Sequence, residues 1–171
     1  MQNSIKVLIA IMFLIAMVFI LGCGEKGIPT DIKEKIDKYV NYWNTGQFDG
    51  IENVLCEDFE LLESPGFEPK KGIELFKQDI SAMRITYPDF HIAIDETVYE
   101  KDKIALIWTV FATNTGPGKM PPTGKIIKGH GISMIHLKEG KIKDEWLASN
   151  DLLWMTQLGF TFVPPKINDE K

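Results

Sequence analysis

From Ile32 the apolar side chains return every three or four residues: Ile32, Ile36, Val40 and Trp43, with Tyr39 beside them. That spacing places them on one face of a helix. Thr30 stands where a capping hydroxyl is wanted, and Asp31 and Glu34 fall in the first turn, where the helix dipole favours acids. The stripe ends near Thr45-Gly46. A shorter helix is expected around Phe48, Ile51, Val54 and Leu55, then a short strand in DFELLE. The Pro- and Gly-rich stretch Ser64 to Gly72 reads as a loop. Ile73, Phe76, Ile80 and Met83 form the stripe of another helix, which must end before Pro88.

Beyond Pro88 the period changes from helical to two. Phe90, Ile92, Ile94 and Val98 predict one strand face, and Ile104, Leu106, Trp108 and Val110 another. Ile107 and Phe111 make the reverse face of the second strand apolar as well. Lys101-Asp102 should turn the first of these strands into the second, and Glu139-Gly140 the third (125 to 137) into a fourth. A loop, Thr115 to Gly124, precedes the third strand and reads as a flap over the mouth of the fold. A final short helix has Leu152, Met155 and Leu158 apolar, Asp151 as its cap and Gly159 as terminator. Helices followed by an antiparallel meander make an α+β pattern: N-terminal helices on one strongly curved antiparallel sheet, a cone with an apolar interior.

The fourth strand holds the first candidate for chemistry. Lys141, Lys143 and Glu145 alternate on one face, all charged, so that face should meet water. Strict alternation then puts Ile142, Asp144 and Trp146 on the inner face. An acid between an isoleucine and a tryptophan resists ionisation, as a proton-transfer group near neutral pH must. The bland reading of Asp144 is a rim position, paired with a lysine or held by backbone.

The first 22 residues read separately. Lys6 precedes fifteen unbroken apolar residues, Val7 to Leu21, too few for a membrane span of about 20 but right for the core of a signal peptide. Ile20-Leu21-Gly22-Cys23 resembles a bacterial lipobox, which makes Cys23 the expected lipidation site. The chain then divides into a signal peptide (1–22), a tether (23–29), one α+β domain (30–160) and a tail (161–171), held by lipid on the extracytoplasmic face of the cell membrane. The net charge of −5 becomes −6 once Lys6 is removed with the signal peptide, which disfavours nucleic acid as a partner. With Cys23 taken by lipid, Cys56 is left without a disulfide partner; in its apolar setting it reads as a buried, inert thiol.

No G-x-S-x-G, H-E-x-x-H, phosphate loop or dinucleotide fingerprint occurs, so triad hydrolysis, zinc peptidase and nucleotide chemistry lack support. His130 and His136 lie about 20 Å apart along one strand, too far for one ion, so no metal is expected. His130 shares a face with Ile132 and Met134, which is either the pocket face or an outer one. Tyr39, Trp43, Trp108 and Trp146 are aromatic enough to line a cavity, although core packing alone would also account for them.

Three segments together carry a resemblance: YPDFHIAIDETVYEKDKIALIWTVFATNTG, MPPTGKIIKGHGISMIHLKEGKIKDEW and DLLWMTQLG. They resemble the SnoaL-like polyketide cyclases, often called ester cyclases, of the nuclear transport factor two-like superfamily. YWNTGQFDGIENVLCEDF fits the same family's first helices, so the likeness spans about Asp31 to Gly159. It implies a cone-shaped fold, an enclosed pocket, a ring-closing aldol-type reaction and no metal or organic cofactor. It also implies a pocket aspartate acting as acid and base, which matches Asp144; His130, from its place on the third strand, is the second catalytic candidate. Asn114 stands where many relatives carry histidine. Asn114, with Tyr39, Trp43, Trp108 and Trp146, would then bind a small hydrophobic carbonyl compound. Two alternatives remain: a non-catalytic lipoprotein holding such a ligand, or a scaffold pairing as a homodimer through the outer sheet face, since Ile107 and Phe111 need cover.

Overall fold

The computed structural model describes residues 27–63 and 68–163. The expected signal peptide, Cys23, most of the expected tether, part of the 64–72 loop and most of the expected tail lie outside them. The elements run α1 (Thr30–Thr45), a 3-10 turn (Ile51–Asn53), β1 (Leu55–Leu62), β2 (Lys70–Lys71), α2 (Ile73–Thr86), β3 (His91–Glu100), β4 (Lys103–Thr113), β5 (Ile126–Lys138), β6 (Lys141–Ser149) and α3 (Asp151–Leu158). No helix among the described residues is long and apolar enough to cross a membrane.

Six strands form one curved sheet in the order β2-β1-β6-β5-β4-β3. The meander β3 to β6 is antiparallel, as the alternating segments predict. The sheet as a whole is mixed, however, because β1 runs parallel to β6. Period-two patterning cannot reveal that pairing, since β1 reaches β6 only after the chain has closed around α2.

Both long helices follow their stripes. Ile32, Ile36, Tyr39 and Tyr42 of α1 are buried, as are Phe76 and Ile80 of α2. Two details of the ends differ. Thr30 is the first helical residue rather than a cap, and Pro29 precedes it with no side-chain bond. Asn150, not Asp151, caps α3 by accepting the Leu153 amide at 3.0 Å. The second expected helix shrinks to the 3-10 turn. The turns at Lys101 and at Glu139-Gly140 are the expected ones, reached through left-handed backbone at φ 54°, 53° and 72°.

Two apolar clusters fill the interior. The larger gathers Ile36, Tyr39, Phe59, Leu61, Phe76, Ile80, Leu106, Ile135 and Ile142 between α1, α2 and the inner sheet face. The smaller gathers Tyr87, Phe90, Val110, Ala112, Ile127 and Leu158 under α3. Each fully buried side chain of this size contributes roughly 1.5–3 kcal/mol relative to exposure. Trp43 and Trp108 pack against both clusters and so lie on the seam between them.

Candidate functional site

Along β6 the alternation breaks. His136 pairs with Asp144, but the next β5 residue, Leu137, pairs with Ile142. Lys143 is therefore one residue more than β5 can match, a β-bulge. An extra residue inverts every side chain that follows it. Ile142 points inward; after the bulge, Glu145 and Leu147 point inward while Asp144 and Trp146 point outward. The expectation that Asp144 shares the inner face with Ile142 is overturned for this reason. The same event occurs in β3, where Asp95 is the extra residue, and it turns Val98 out to solvent.

Glu145 is the acid inside, at 5% exposure. The Tyr39 hydroxyl donates to its Oε2, and the Ser133 hydroxyl, from the inward position next to Ile135, which faces Glu145 on β5, donates to the same carboxylate. Ser133 Oγ in turn accepts the Trp108 indole N–H at 2.9 Å. Burial pushes the Glu145 carboxyl above its ordinary range, and the two hydroxyl donors only partly oppose it. Burial first, then the charge of Glu145 and the bond to it, holds the Tyr39 phenol well above its usual value. Of this pair, Glu145 is thus the group able to gain or lose a proton, and Tyr39 remains a donor.

Beside Glu145 lies a cavity of about 60 Å³. Tyr39, Val40 and Trp43 from α1, Ile92 and Ile94 from β3, Leu106 and Trp108 from β4, and Ser133, Glu145 and Leu147 line it. The polar groups cluster at Glu145, and the rest of the wall is apolar, the usual constitution of a small-molecule site. Several waters, or the reacting end of a larger molecule, would fill it. Tyr39, Leu106, Ser133 and Glu145 are its buried lining, and Val40, Trp43, Ile92, Ile94, Trp108 and Leu147 are half-buried.

The walls are fixed from behind. Tyr39 stacks on Phe76 with ring centres 5.4 Å apart, and Phe59 meets both rings edge-on. Asn44, at the end of α1, clamps the Ile92 backbone in both directions, its amide donating to the carbonyl at 2.9 Å and its oxygen accepting the N–H at 2.6 Å. The Arg84 guanidinium donates to the carbonyls of Trp43 and Phe90. These bonds join α1, α2 and the start of β3 around the cavity.

Of the residues singled out from sequence, Tyr39, Trp43 and Trp108 line the cavity; the others lie elsewhere. Asn114 is fully buried, but its oxygen accepts both the amide and the hydroxyl of Thr123, which pins the 115–124 loop rather than facing the cavity. That loop lies against the C-terminal end of α2, with the Gly116 amide on the Thr86 carbonyl, and none of its residues lines the cavity. A side chain at Gly116 would strike the Ile85 carbonyl, so glycine is required there. His130 is exposed on the outer face of β5. Asp144 is on the outer face too, 2.6 Å from His136 Nδ1. Trp146 is 58% exposed there. Cys56 is half-buried, with burial as the main cause raising its thiol. Among the described residues no three His, Cys, Asp or Glu side chains gather where they could hold a metal ion.

Glu145, Ser133 and Leu147 are the lining residues that alternation misses. A signal for them exists. Ile142 and Leu147 are both apolar yet five apart, an odd number, so they can share a face only if the strand carries an extra residue between them.

Comparison with known proteins fits this architecture. A model of the SnoaL-like polyketide cyclases matches residues 33–158. No curated protein sequence matches significantly. Among solved structures, a candidate polyketide cyclase from Bacillus cereus ATCC 10987 is 24% identical, with 76% of this chain and 81% of that one covered at TM-score 0.64. A candidate SnoaL-like polyketide cyclase from Jannaschia sp. CCS1 is 17% identical, with 84% and 100% covered at TM-score 0.69. IdmH, a candidate polyketide cyclase from Streptomyces antibioticus, is 18% identical, with 75% and 99% covered at TM-score 0.66. At these identities the likeness to the solved structures is one of fold.

Proposed function

Because the chain belongs to the SnoaL-like polyketide cyclase family, with its nuclear transport factor two-like fold, we propose that Glu145 is the acid and base of a cofactor-free reaction on a small hydrophobic carbonyl compound. The observation that carries the reading is a single buried carboxyl, raised by burial, with two hydroxyl donors at the polar end of an otherwise apolar cavity. An acid tuned upward can both take and return a proton near neutral pH.

In the proposed step, Glu145 takes a proton from the carbon beside the substrate carbonyl. The C–H bond breaks, an O–H bond forms on Glu145, and the electron pair moves onto the carbonyl oxygen. Once Glu145 is protonated, the Tyr39 and Ser133 hydroxyls no longer face a charged carboxylate and are free to stabilise the enolate oxygen. The enolate carbon then attacks a second carbonyl of the same molecule, and Glu145 returns its proton to the new alkoxide. No electrons are lost or gained overall. The cavity admits the reacting end, while its half-buried apolar lining, Trp43 and Ile92 among it, bears on the remainder.

The test needs no natural substrate. A panel of aryl ketones in heavy water should exchange the hydrogens beside the carbonyl faster with the protein than without it, read by NMR. Glu145→Gln should lower that rate ~10²-fold or more. Saturable binding without exchange would favour the second reading, a binding protein using the same cavity. One observation supports that alternative: among the described residues Glu145 is the only carboxyl lining the cavity, and its neighbour Tyr39 holds its proton tightly. Neither exchange nor binding would end both readings.

Lipid anchorage through Cys23 is proposed with it, on the order of Lys6, apolar run and cysteine. Cys23→Ser should then shift the protein from the membrane to the soluble fraction; unchanged fractionation and electrophoretic mobility would exclude the anchor.

A further inference from the structure

Ser133 has a single hydroxyl proton and several directions in which to point it. The residue is 1% exposed, so bulk water is not among its acceptors. A serine hydroxyl turns onto nearby backbone carbonyls as well as onto side chains. What selects the direction here is Trp108. Its indole N–H, 2.9 Å away, can only donate, so it occupies a lone pair of Ser133 Oγ and the hydroxyl proton must point elsewhere. The carboxylate of Glu145 is the acceptor that shares the cavity wall with Ser133.

The indole is itself held in place. Trp108 on β4 pairs with Gly131 on β5, and Ser133 is the next inward position along that strand. A Cβ at residue 131 would stand 2.4 Å and 2.5 Å from the Cζ2 and Cη2 atoms of the ring. The ring thus lies against the bare backbone of Gly131, with its N–H on Ser133. Two successive inward positions on β5 divide the work, one making room for the ring and the other taking its N–H. We propose that Trp108 is a positioning residue: by engaging one side of Ser133 Oγ it aims the serine hydroxyl at Glu145, and at the substrate oxygen once Glu145 has taken a proton. Its effect on rate rests on the reading of Glu145 as the reacting acid; the aiming of the hydroxyl does not.

Burial raises the Glu145 carboxyl, and a hydrogen bond from an aimed serine opposes it, because such a bond favours the charged form. The titratable groups facing Glu145 are Tyr39 from α1 and Glu63 at the end of β1, whose charge raises the carboxyl further. Lys70 of β2 holds Glu63 at 2.7 Å and lies 2.8 Å from Asp79 of α2. Among the described residues β3 and β4 bring only apolar side chains and Trp108 to the cavity. Trp108 carries no charge. Its influence on the carboxyl therefore runs through Ser133 and through the water that its ring excludes, and these two act in opposite directions once the indole is lost.

The test is the pH titration of the Glu145 carboxyl carbon by carbon NMR of the full chain in mild detergent micelles, with the resonance identified by its loss in Glu145→Gln. Ser133→Ala should move the midpoint up by about one pH unit, the worth of a hydrogen bond to a charged group. Trp108→Phe keeps a ring in the wall without the N–H and should also move the midpoint up, by about half a pH unit. A ring that only packed would, once smaller, admit water and move the midpoint down. In the Ser133→Ala background Trp108→Phe should lose its upward effect, because both act through one bond. An unmoved or lowered midpoint in Trp108→Phe, or a rise that persists without Ser133, would overturn the proposal. Should Trp108→Phe fail to fold, the wild type decides: its indole N–H resonance should titrate with the Glu145 midpoint, and a resonance flat through that midpoint would end the inference. Turnover is not the readout. A Glu145→Gln variant that exchanges ketone hydrogens as fast as wild type would sink the catalytic reading and leave the midpoint shifts as expected here.

Discussion

β4 and β6 lie on either side of β5 in the one sheet. β4 runs its eleven residues against β5 with no break in register, so Ile104, Leu106, Trp108 and Val110 all face inward. β6 carries one residue more than β5 can match, and its faces exchange at Lys143. The unbroken strand spans both apolar clusters and supplies a continuous wall. The bulged strand supplies the one carboxyl inside that wall among the described residues. On the proposed reading, rigidity and reactivity thus come from two strands that flank β5 in one sheet, and a single extra residue separates the two roles.

The comparison can be broken most severely by giving β4 what β6 has. One glycine inserted between Leu106 and Ile107 would turn Trp108 and Val110 outward and put Ile107 and Thr109 in their places. Several buried side chains at 1.5–3 kcal/mol each exceed the usual margin of stability. The expected result is a chain with no cooperative melting transition; a native-like melt would mean that the sheet absorbs the insertion.

A smaller effect separates the two acids of β6. In the exchange assay, Asp144→Asn should stay within about twofold of wild type, against the ~10²-fold loss for Glu145→Gln. Equal losses would place the chemistry on neither side of the bulge.

The smallest expected effect concerns pH. The folded carboxyl of Glu145 binds its proton more tightly than the unfolded one, whose ordinary value is about 4.3. Its contribution to stability is therefore fully present below that value and is lost as pH rises through the higher folded one. Glu145→Gln cannot ionise. Its melting temperature should match wild type in acid and exceed it at neutral pH, by calorimetry across the range. A gap that widens toward acid instead would mean that the carboxyl is not raised.

Much of this was legible from periodicity, because burial of one face leaves a period in the chain. The stripes of α1 and α2, the faces of β4 and the turns at Lys101 and Glu139 all follow from it. The bulges were not, because Asp95 and Lys143 are ordinary strand residues; neither is the glycine that often marks a bulge. Only the odd spacings betray them: Ile142 to Leu147, and likewise Ile94 to Tyr99. Tyr39, Trp43 and Trp108 could be named from sequence because each sits on an unbroken pattern. Glu145 could not, since its place depends on how β6 pairs with β5. The parallel pairing of β1 with β6 and the fastening of Asn114 to Thr123 are likewise long-range facts with no local trace.

Trp43 and Trp108 belong to the packing of both apolar clusters and also line the cavity. A molecule in that cavity therefore wets neither half of the interior alone; it lies in the joint. Its binding free energy enters the folding equilibrium as RT ln(1 + [L]/Kd), and a hundredfold excess over Kd adds about 2.7 kcal/mol. Because the contact falls on the seam, that increment resists the parting of the two clusters as well as the opening of either one. The ligand would serve the empty fold as mortar, and the stability of the domain would rise and fall with the supply of the compound it handles.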